Sequence, residues 1–342
     1  MQQKYMEKCI ELAKKAEGLT SPNPLVGCVV TDEFDNIVAT GYHHRYGENH
    51  AERDALINLK NGDGHTLYVN LEPCSHYGKT PPCTDIIIEK GIKHVVAGMR
   101  DPNLEVSGIE ILKNAGIEVT TGVLEEECKK LNEVFIKNVT EKKTFVAIKT
   151  ATTLDGKIST STGSSKWITS ETARAEVKNI RNRYDAILTS STTIIADNPN
   201  MQHRKKVILD RELKTNLNSN IYKSGEIYIF NSVKDEEQGN LHFIKTPTVE
   251  NKISLEYVFE KLFELGIMSV LIESGGKLNG RALKYADKIY HFIAPKITGD
   301  NTCRSCFDFR EITEISECIN FKIDNIERFD SDVLVTYYPV IQ

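Results

Sequence analysis

HAERDALIN (50–58), read together with LEPCSHYGKTPPC (71–83), decides the fold of this chain. The first stretch opens a helix from Ala51 to Leu59 that stops in the turn NGDG, with His50 at its head and Glu52 in its first turn. The strand HTLYVNL (65–71) precedes the second stretch, and Pro73-Cys74 ends it. Cys83 then begins the helix TDIIIEKG (84–91), for which Gly91 is the stop. His50, Cys74 and Cys83 therefore fall at element ends along one edge of a sheet, where α/β folds build their sites.

The rhythm extends in both directions. MQQKYMEKCIELAKKAEG reads as an amphipathic helix with Met6, Ile10, Ala13 and Ala16 on one stripe. LVGCVVT (25–31) and NIVATGY (36–42) flank the polar turn DEFD as a hairpin, HVVAGM (94–99) is a strand, and GIEILKNAGIEVTTG repeats helix, glycine, strand. Strands and helices alternating in this way predict a largely parallel sheet covered by helices. EEECKKLNEVFIKNVTEKK (125–143) reads as one charged connecting helix, and the pattern restarts at TFVAIKTATTLDGKI. A second α/β run follows through DAILTSSTTI, KVILD, EIYIF, the helix SLEYVFEKLFELG, MSVLIES, GGKLNG and KIYHFIAPKI, with NSVKDEEQGN (231–240) as a loop. The boundary is expected near residue 144, giving domains 1–143 and 144–342.

A length of 342 residues exceeds what one ordinary core serves, which agrees with two domains. With 40% hydrophobic and 27% charged residues the composition is that of a globular protein. No apolar run approaches the roughly 20 residues of a membrane span, and the N-terminus has no apolar core of a secretory signal, so a cytoplasmic location is expected. A net charge of −5, with only short basic patches such as HRKK (203–206), disfavours a nucleic-acid partner. The 8 cysteines are too scattered for a disulfide scaffold, and in a reducing compartment a cluster of them points to metal.

Zinc favours thiolate and imidazole, and a catalytic site takes three protein ligands and keeps a position open. His50, Cys74 and Cys83 supply such a set, and Glu52 beside them is a carboxylate able to move a proton from water to a leaving amine. His-x-Glu followed by Pro-Cys and Cys is the signature of zinc deaminases, although eight residues separate the cysteines here where the common form has two. Two plainer readings stand beside it: cysteines serving as small buried hydrophobes, and a structural zinc with His76 as fourth ligand. The order of the elements favours the catalytic one.

SPNPLVGCVV (21–30), GYHHRYGENHAE (41–52), LEPCSHYGKTPPC and KHVVAGMRDPN (93–103) resemble the deaminase half of the bifunctional riboflavin-biosynthesis deaminase/reductase family, which has a cytidine-deaminase-like three-layer fold. The resemblance implies zinc on His50, Cys74 and Cys83, Glu52 as the proton shuttle, and a substrate pocket lined by Asn23, His43, His76 and Lys79. A lysine suits a ribose phosphate and an amide suits a pyrimidine edge. KTATTLDGKI (149–158), SSKWIT (164–169), ADNPNMQHR (196–204), VILD (207–210), IESGGKLNG (272–280) and IAPKITG (293–299) resemble the reductase half, whose fold is dihydrofolate-reductase-like. That half binds NADPH. By resemblance Ala151, Trp167, Thr193, Asp197 and the run Gly275, Gly276, Lys277, Leu278, Asn279, Gly280 and Arg281 contact the cofactor. Ser165, Arg181, Met201, Arg204 and Glu273 contact the substrate. The glycines of SGGKLNGRAL would let backbone N–H groups approach a pyrophosphate.

The implied function is hydrolytic deamination of a phosphoribosyl-diaminopyrimidine, then NADPH-dependent reduction of its ribosyl group, in a homo-oligomer acting on small molecules. The chain departs from the family at Asn49 (usually proline), Thr153 (usually serine), and Ser190-Ser191-Thr192-Thr193, where Gly-x-Gly-Thr is usual. Hydroxyl side chains in that turn crowd or re-aim it, which motivates the alternative of a deaminase whose second domain no longer reduces. An RNA deaminase and a zinc-stabilised binding module are the remaining rivals. Cys303 and Cys306 read as incidental.

Overall fold

Every residue of Gly27–Thr31, and all but the first of Thr66–Leu71 and His94–Met99, is buried. Strands buried along their whole length, and not on alternate residues, have both faces covered. The computed structural model describes residues 2–78, 80–308 and 310–340, and the chain divides into two units, Met1–Lys142 and Lys143–Gln342.

The first unit runs α1 (Gln2–Lys14), β1 (Gly27–Thr31), β2 (Ile37–Tyr42), α2 (Ala51–Leu56), β3 (Thr66–Leu71), α3 (Cys83–Glu89), β4 (His94–Met99), α4 (Gly108–Asn114), β5 (Glu118–Thr121), α5 (Glu125–Leu131) and α6 (Glu133–Glu141). Its sheet order is β2-β1-β3-β4-β5. Both pairings of β1 are antiparallel, and only β3–β4 and β4–β5 are parallel. The sheet is thus mixed, because the hairpin reverses the chain before β3 joins the far side of β1. Helix α1 packs with α5 on the sheet, while α2, α3 and α4 pack as a second group, giving three layers.

Two local findings matter for the site. Helix α2 lies directly on β2 because residue 41 is glycine; a Cβ there would run into the backbone of Ala51 and Ala55. The helix ends at Leu56, three residues before the predicted Leu59. The charged segment 125–143 is two helices, not one. Its break is Asn132, a buried residue whose amide accepts from Leu25 N at 2.8 Å and donates to Leu25 O at 3.0 Å. A tertiary demand for those two bonds overrides a sequence with no helix breaker.

The second unit runs β6 (Phe145–Thr153), β7 (Lys157–Ser159), α7 (Glu171–Asn182), β8 (Ala186–Ser190), α8 (Ser191–Asp197), β9 (Lys205–Leu209), β10 (Glu226–Asn231), β11 (Glu236–Gln238), β12 (Leu241–Lys245), β13 (Thr248–Val249), β14 (Lys252–Ile253), α9 (Leu255–Glu264), β15 (Ser269–Ile272), α10 (Gly276–Ala282), β16 (Lys288–Ala294), β17 (Arg304–Ser305), β18 (Phe321–Phe329) and β19 (Asp332–Pro339). Its main sheet is ordered β11-β12-β10-β9-β8-β15-β6-β16-β19-β18. Strands β12 through β16 in that order are parallel, and β11, β19 and β18 are antiparallel. DAILTSSTTI is not one strand: it turns helical at Ser191, with Ser190 as N-cap. The loop 231–240 also carries β11. Among the described residues no helix is long and apolar enough to cross a membrane.

Gly41→Ala is expected to destabilise the first unit by about 1–3 kcal/mol, the usual cost of overpacking. Urea unfolding of the full chain, followed by a probe in each unit, should show the first transition shifted and the second unmoved.

Candidate active sites

His50 is the N-cap residue of α2, extended at φ −70 and ψ 159, and its ring makes no capping bond. Its Nδ1 instead stands 3.4 Å from Cys74 Sγ and 3.6 Å from Cys83 Sγ. Cys74 lies just beyond β3 and Cys83 opens α3, so three elements each contribute one donor, all within 4.8 Å of one another. Ligands of a tetrahedral zinc, about 2.0–2.3 Å from the metal, stand about 3.5 Å apart. The donor set fits zinc. His76 is exposed and outside this group, so among the described residues there are three donors, and the four-ligand structural site is not formed.

Hydrogen bonding from Cys83, then from His50, outweighs burial and pulls the Cys74 thiol down to about 4, while Cys83 itself is pushed up. Glu52, one residue into α2, is only 3% exposed. Burial and then the charge of Cys74 push its carboxyl up to about 7, so it exchanges a proton near neutrality.

Behind the donors, His43 is buried with Nδ1 2.9 Å from the carbonyl of Asn49 and Nε2 3.1 Å from Asn23 Nδ2. The carbonyl requires a proton on Nδ1, which leaves Nε2 as acceptor and fixes the Asn23 amide with Oδ1 unspent. The ring also meets His50 edge-on at 5.4 Å. Because His43 reads a backbone carbonyl, asparagine in place of proline at position 49 leaves this contact intact. Lys79 lies outside the described residues. Sequence reasoning missed Glu72, a buried carboxylate that accepts from Ile109 N at 3.0 Å and Asp101 N at 3.3 Å. It pins the 101–109 loop beside Pro73, where Gly108 leaves no room for a Cβ. The available signal was a carboxylate directly before the Pro-Cys pair.

In the second unit a cavity of about 1560 Å³ lies along the C-terminal ends of β9, β8, β15 and β6. That volume exceeds the roughly 300–1,000 Å³ of a single small-ligand pocket, and so has room for a dinucleotide and a second ligand. Ala151, Trp167, Thr193, Asp197, Gly275, Gly276, Lys277, Leu278 and Arg281 of the predicted cofactor set line it. So do Ser165, Arg181, Met201 and Glu273 of the predicted substrate set. Three predicted residues do not. Arg204 is exposed outside the cavity wall, and Asn279 and Gly280 are buried behind it. Residues 276–282 form a helix, so consecutive positions cannot all face one ligand. Asn279 instead ties the turn to the neighbouring loop, donating to Ser274 O and Cys306 O, both at 3.2 Å.

Arg181 grips Glu273 through both oxygens, Nε–Oε1 at 2.5 Å and Nη2–Oε2 at 3.0 Å, and Lys149 Nζ stands 3.7 Å away. Burial works to raise the Glu273 carboxyl, but Lys149 and Arg181 prevail and hold it below the usual range. Lys149 was missed, although a lysine inside the apolar strand FVAIKT was a visible signal. The turn at 190–193 needs no glycine: Ser190 has φ −114 and the next three residues are helical. Its hydroxyls face inward, with Ser190, Thr193 and Ser274 oxygens 3.0–3.3 Å from one another. Gly275 has open space where a Cβ would stand, leaving its backbone accessible, whereas Gly276 is required by the close backbone of Ser305.

The chain is similar to known proteins over nearly its whole length. The RibD C-terminal domain profile matches residues 144–335, and that of the cytidine and deoxycytidylate deaminase zinc-binding region matches residues 1–99. The riboflavin biosynthesis protein RibD of Aquifex aeolicus is 40% identical across 94% of this chain and 95% of its own length. RibD of Actinobacillus pleuropneumoniae is 38% identical across 98% and 95%. The crystal structure of a diaminohydroxyphosphoribosylaminopyrimidine deaminase/5-amino-6-(5-phosphoribosylamino)uracil reductase from Thermotoga maritima superimposes with a TM-score of 0.90 at 40% identity, covering 99% of both chains. Acinetobacter baumannii RibD gives 0.89 at 32% identity, again over 99% of each chain.

Elemental analysis of the purified chain is expected to find one zinc per chain, lost in Cys83→Ser and retained in Glu52→Gln. Because zinc displaces the thiol protons, its apparent affinity should fall as pH is lowered from about 8 to 6, measurable by competition with a chromogenic chelator.

Proposed function

This chain belongs to the RibD family of riboflavin-biosynthesis proteins, and from that membership we propose how its own residues carry out the two reactions. It is a bifunctional enzyme, a zinc-dependent deaminase and an NADPH-dependent reductase. The substrate of the first reaction is 2,5-diamino-6-(5-phosphoribosylamino)pyrimidin-4(3H)-one, and the second reduces the ribosyl group of the deaminated product to ribityl.

In the deaminase unit zinc, when bound, acidifies a water and supplies the nucleophile. The residues do the remainder. Glu52 takes the proton, holds it in a buried site, and delivers it to the departing ammonia. Asn23, oriented by His43, presents its amide to the pyrimidine edge, and by the family resemblance His76 and Lys79 belong to the substrate pocket, where a lysine suits the ribose phosphate. The observation that carries this reading is the convergence of His50 Nδ1 with two sulfurs beside a buried carboxyl near 7.

In the reductase unit NADPH, when bound, supplies hydride to C1′ of the opened ribose. Thr193, Gly275 and Arg281 hold the dinucleotide, Trp167 covers it at the rim, and Asp197 and Ala151 complete its contacts. Arg181 and Glu273 fix each other and orient the substrate, with Ser165 and Met201 beside them. Domain limits of 1–143 and 144–342 fit this division of labour. The net charge of −5 supports a small-molecule enzyme of the cytoplasm with no nucleic-acid partner, and we read it as a homo-oligomer.

Mass analysis of products formed from the pyrimidine with and without NADPH tests both halves: the deaminated ribosyl compound without it, the ribityl compound with it. Glu52→Gln should lower ammonia release by about 10²–10⁴-fold, the range for a lost proton shuttle; unchanged release would remove Glu52 from the mechanism. Glu273→Ala leaves the Arg181 charge buried without its partner. It should abolish reduction and destabilise the second unit by about 3–5 kcal/mol, with deamination retained.

A further inference from the structure

We propose that Lys296 and Arg174 are positioning residues for the reduction: together they hold the Trp167 indole in place over the reductase cavity, and Asp155 fixes the loop that carries Lys296. The proposal rests on the reductase reading above and gives a part to IAPKITG (293–299) and LDGK (154–157), segments from which that reading takes no residue.

Trp167 lines the cavity but is 62% exposed, so apolar burial does little to keep it there. Regular backbone structure does not hold it either, since residues 160–170 form neither helix nor strand. Side chains from elsewhere supply the hold. Lys296 Nζ donates to Trp167 O at 2.9 Å and to Ile168 O at 2.6 Å. Arg174, near the start of α7, donates from Nη1 to Thr169 O at 2.7 Å. The buried carboxylate of Asp332 accepts from Ser170 N at 2.6 Å. Four consecutive residues are therefore fixed through their main chain by three side chains. Arg174 also reaches the ring: its guanidinium carbon stands 4.5 Å from the Trp167 centroid, within cation–π range. One arginine thus restrains both the backbone of this segment and the face of the indole.

Lys296 is itself anchored. Its carbonyl accepts from Leu154 N at 2.7 Å. The Asp155 carboxylate accepts from Thr298 N, Thr298 Oγ1 and Gly299 N at 2.8–3.2 Å, and from Thr153 Oγ1 at 2.6 Å. Threonine at 153 supplies the same hydroxyl as the serine usual there. These bonds tie the loop after β16 to the turn that ends β6, the strand that carries Lys149 and Ala151 into the cavity. The indole is thereby referred to β6, as a contact group held by supporting hydrogen bonds must be. Lys296 lies outside the cavity wall, so it acts on the reduction through Trp167.

The test uses the full-length chain and its single tryptophan, so indole fluorescence reports position 167 alone. In Lys296→Met and in Arg174→Leu, the protein without cofactor should show stronger acrylamide quenching and lower anisotropy than the wild type. Reduced nicotinamide absorbs where tryptophan emits, and energy transfer to NADPH at saturation should fall. The kcat/KM for NADPH should drop about 10–100-fold, the cost of a misplaced contact, with ammonia release at the wild-type rate. Lys296→Arg, which can still donate to two carbonyls, should restore most of both readouts. In a Trp167→Ala background Lys296→Met should cost less than about twofold more, because no ring is left to place. Unchanged fluorescence, or an unchanged kcat/KM, would overturn the proposal. So would a loss that persists in full without the indole, which would make Lys296 a structural residue of the loop. Wild-type protein that reduces nothing with NADPH would instead overturn the reductase reading, and quenching and anisotropy would still decide whether the two cations hold the ring.

Discussion

Burying Glu52 next to two sulfurs places negative charge where water cannot solvate it, and the deaminase unit is arranged around that problem. Without a cation, burial and the Cys74 charge keep a proton on the carboxyl. A metal held by His50, Cys74 and Cys83 changes the balance of that same pocket, since a nearby positive charge favours the ionised form. The carboxyl is thus placed where small changes in its surroundings decide its protonation, which is what a proton shuttle requires. Its position depends in turn on how closely α2 approaches β2, and that spacing is set by the absence of a side chain at Gly41.

The second unit meets the same difficulty by other means. Glu273 is buried, yet it stays ionised because Arg181 holds both its oxygens and Lys149 stands behind it. Pairs of this kind add little net stability relative to an apolar substitute, so their presence at the end of a parallel strand marks a place where ligand chemistry outweighs packing. Both units concentrate their charge at strand and helix ends, because only there do backbone direction and solvent access let several elements aim at one point.

Much of this was legible in the sequence. His50, Glu52, Cys74 and Cys83 stand out because a metal constrains residue type as well as spacing, and the strands HTLYVNL and HVVAGM are apolar enough to fix their ends within a residue. What stayed hidden depended on tertiary contacts. Nothing local in EEECKKLNEVF says that Asn132 must leave the helix to serve Leu25. A run such as GGKLNGR reads as one binding segment until its helical turn sends Asn279 and Gly280 to the back of the wall. The serines and threonines at 190–193 look like an obstruction only if the turn is assumed to be left-handed, and it is not. Lys149 and Glu72 carried signals of their own, since an ionisable group inside an apolar stretch is costly unless it has a partner.

The contact between His43 and the carbonyl of residue 49 has a consequence for how this sequence can vary. A main-chain acceptor is supplied equally by asparagine and by proline, so the ring that orients Asn23 is blind to which side chain occupies that position. Drift at residue 49 is silent for the pocket, while the neighbouring imidazole, whose two nitrogens are both committed, has no isosteric substitute among the twenty residues. Two positions six residues apart in one loop therefore live under opposite degrees of constraint, and the difference arises from whether the backbone or the side chain is being read.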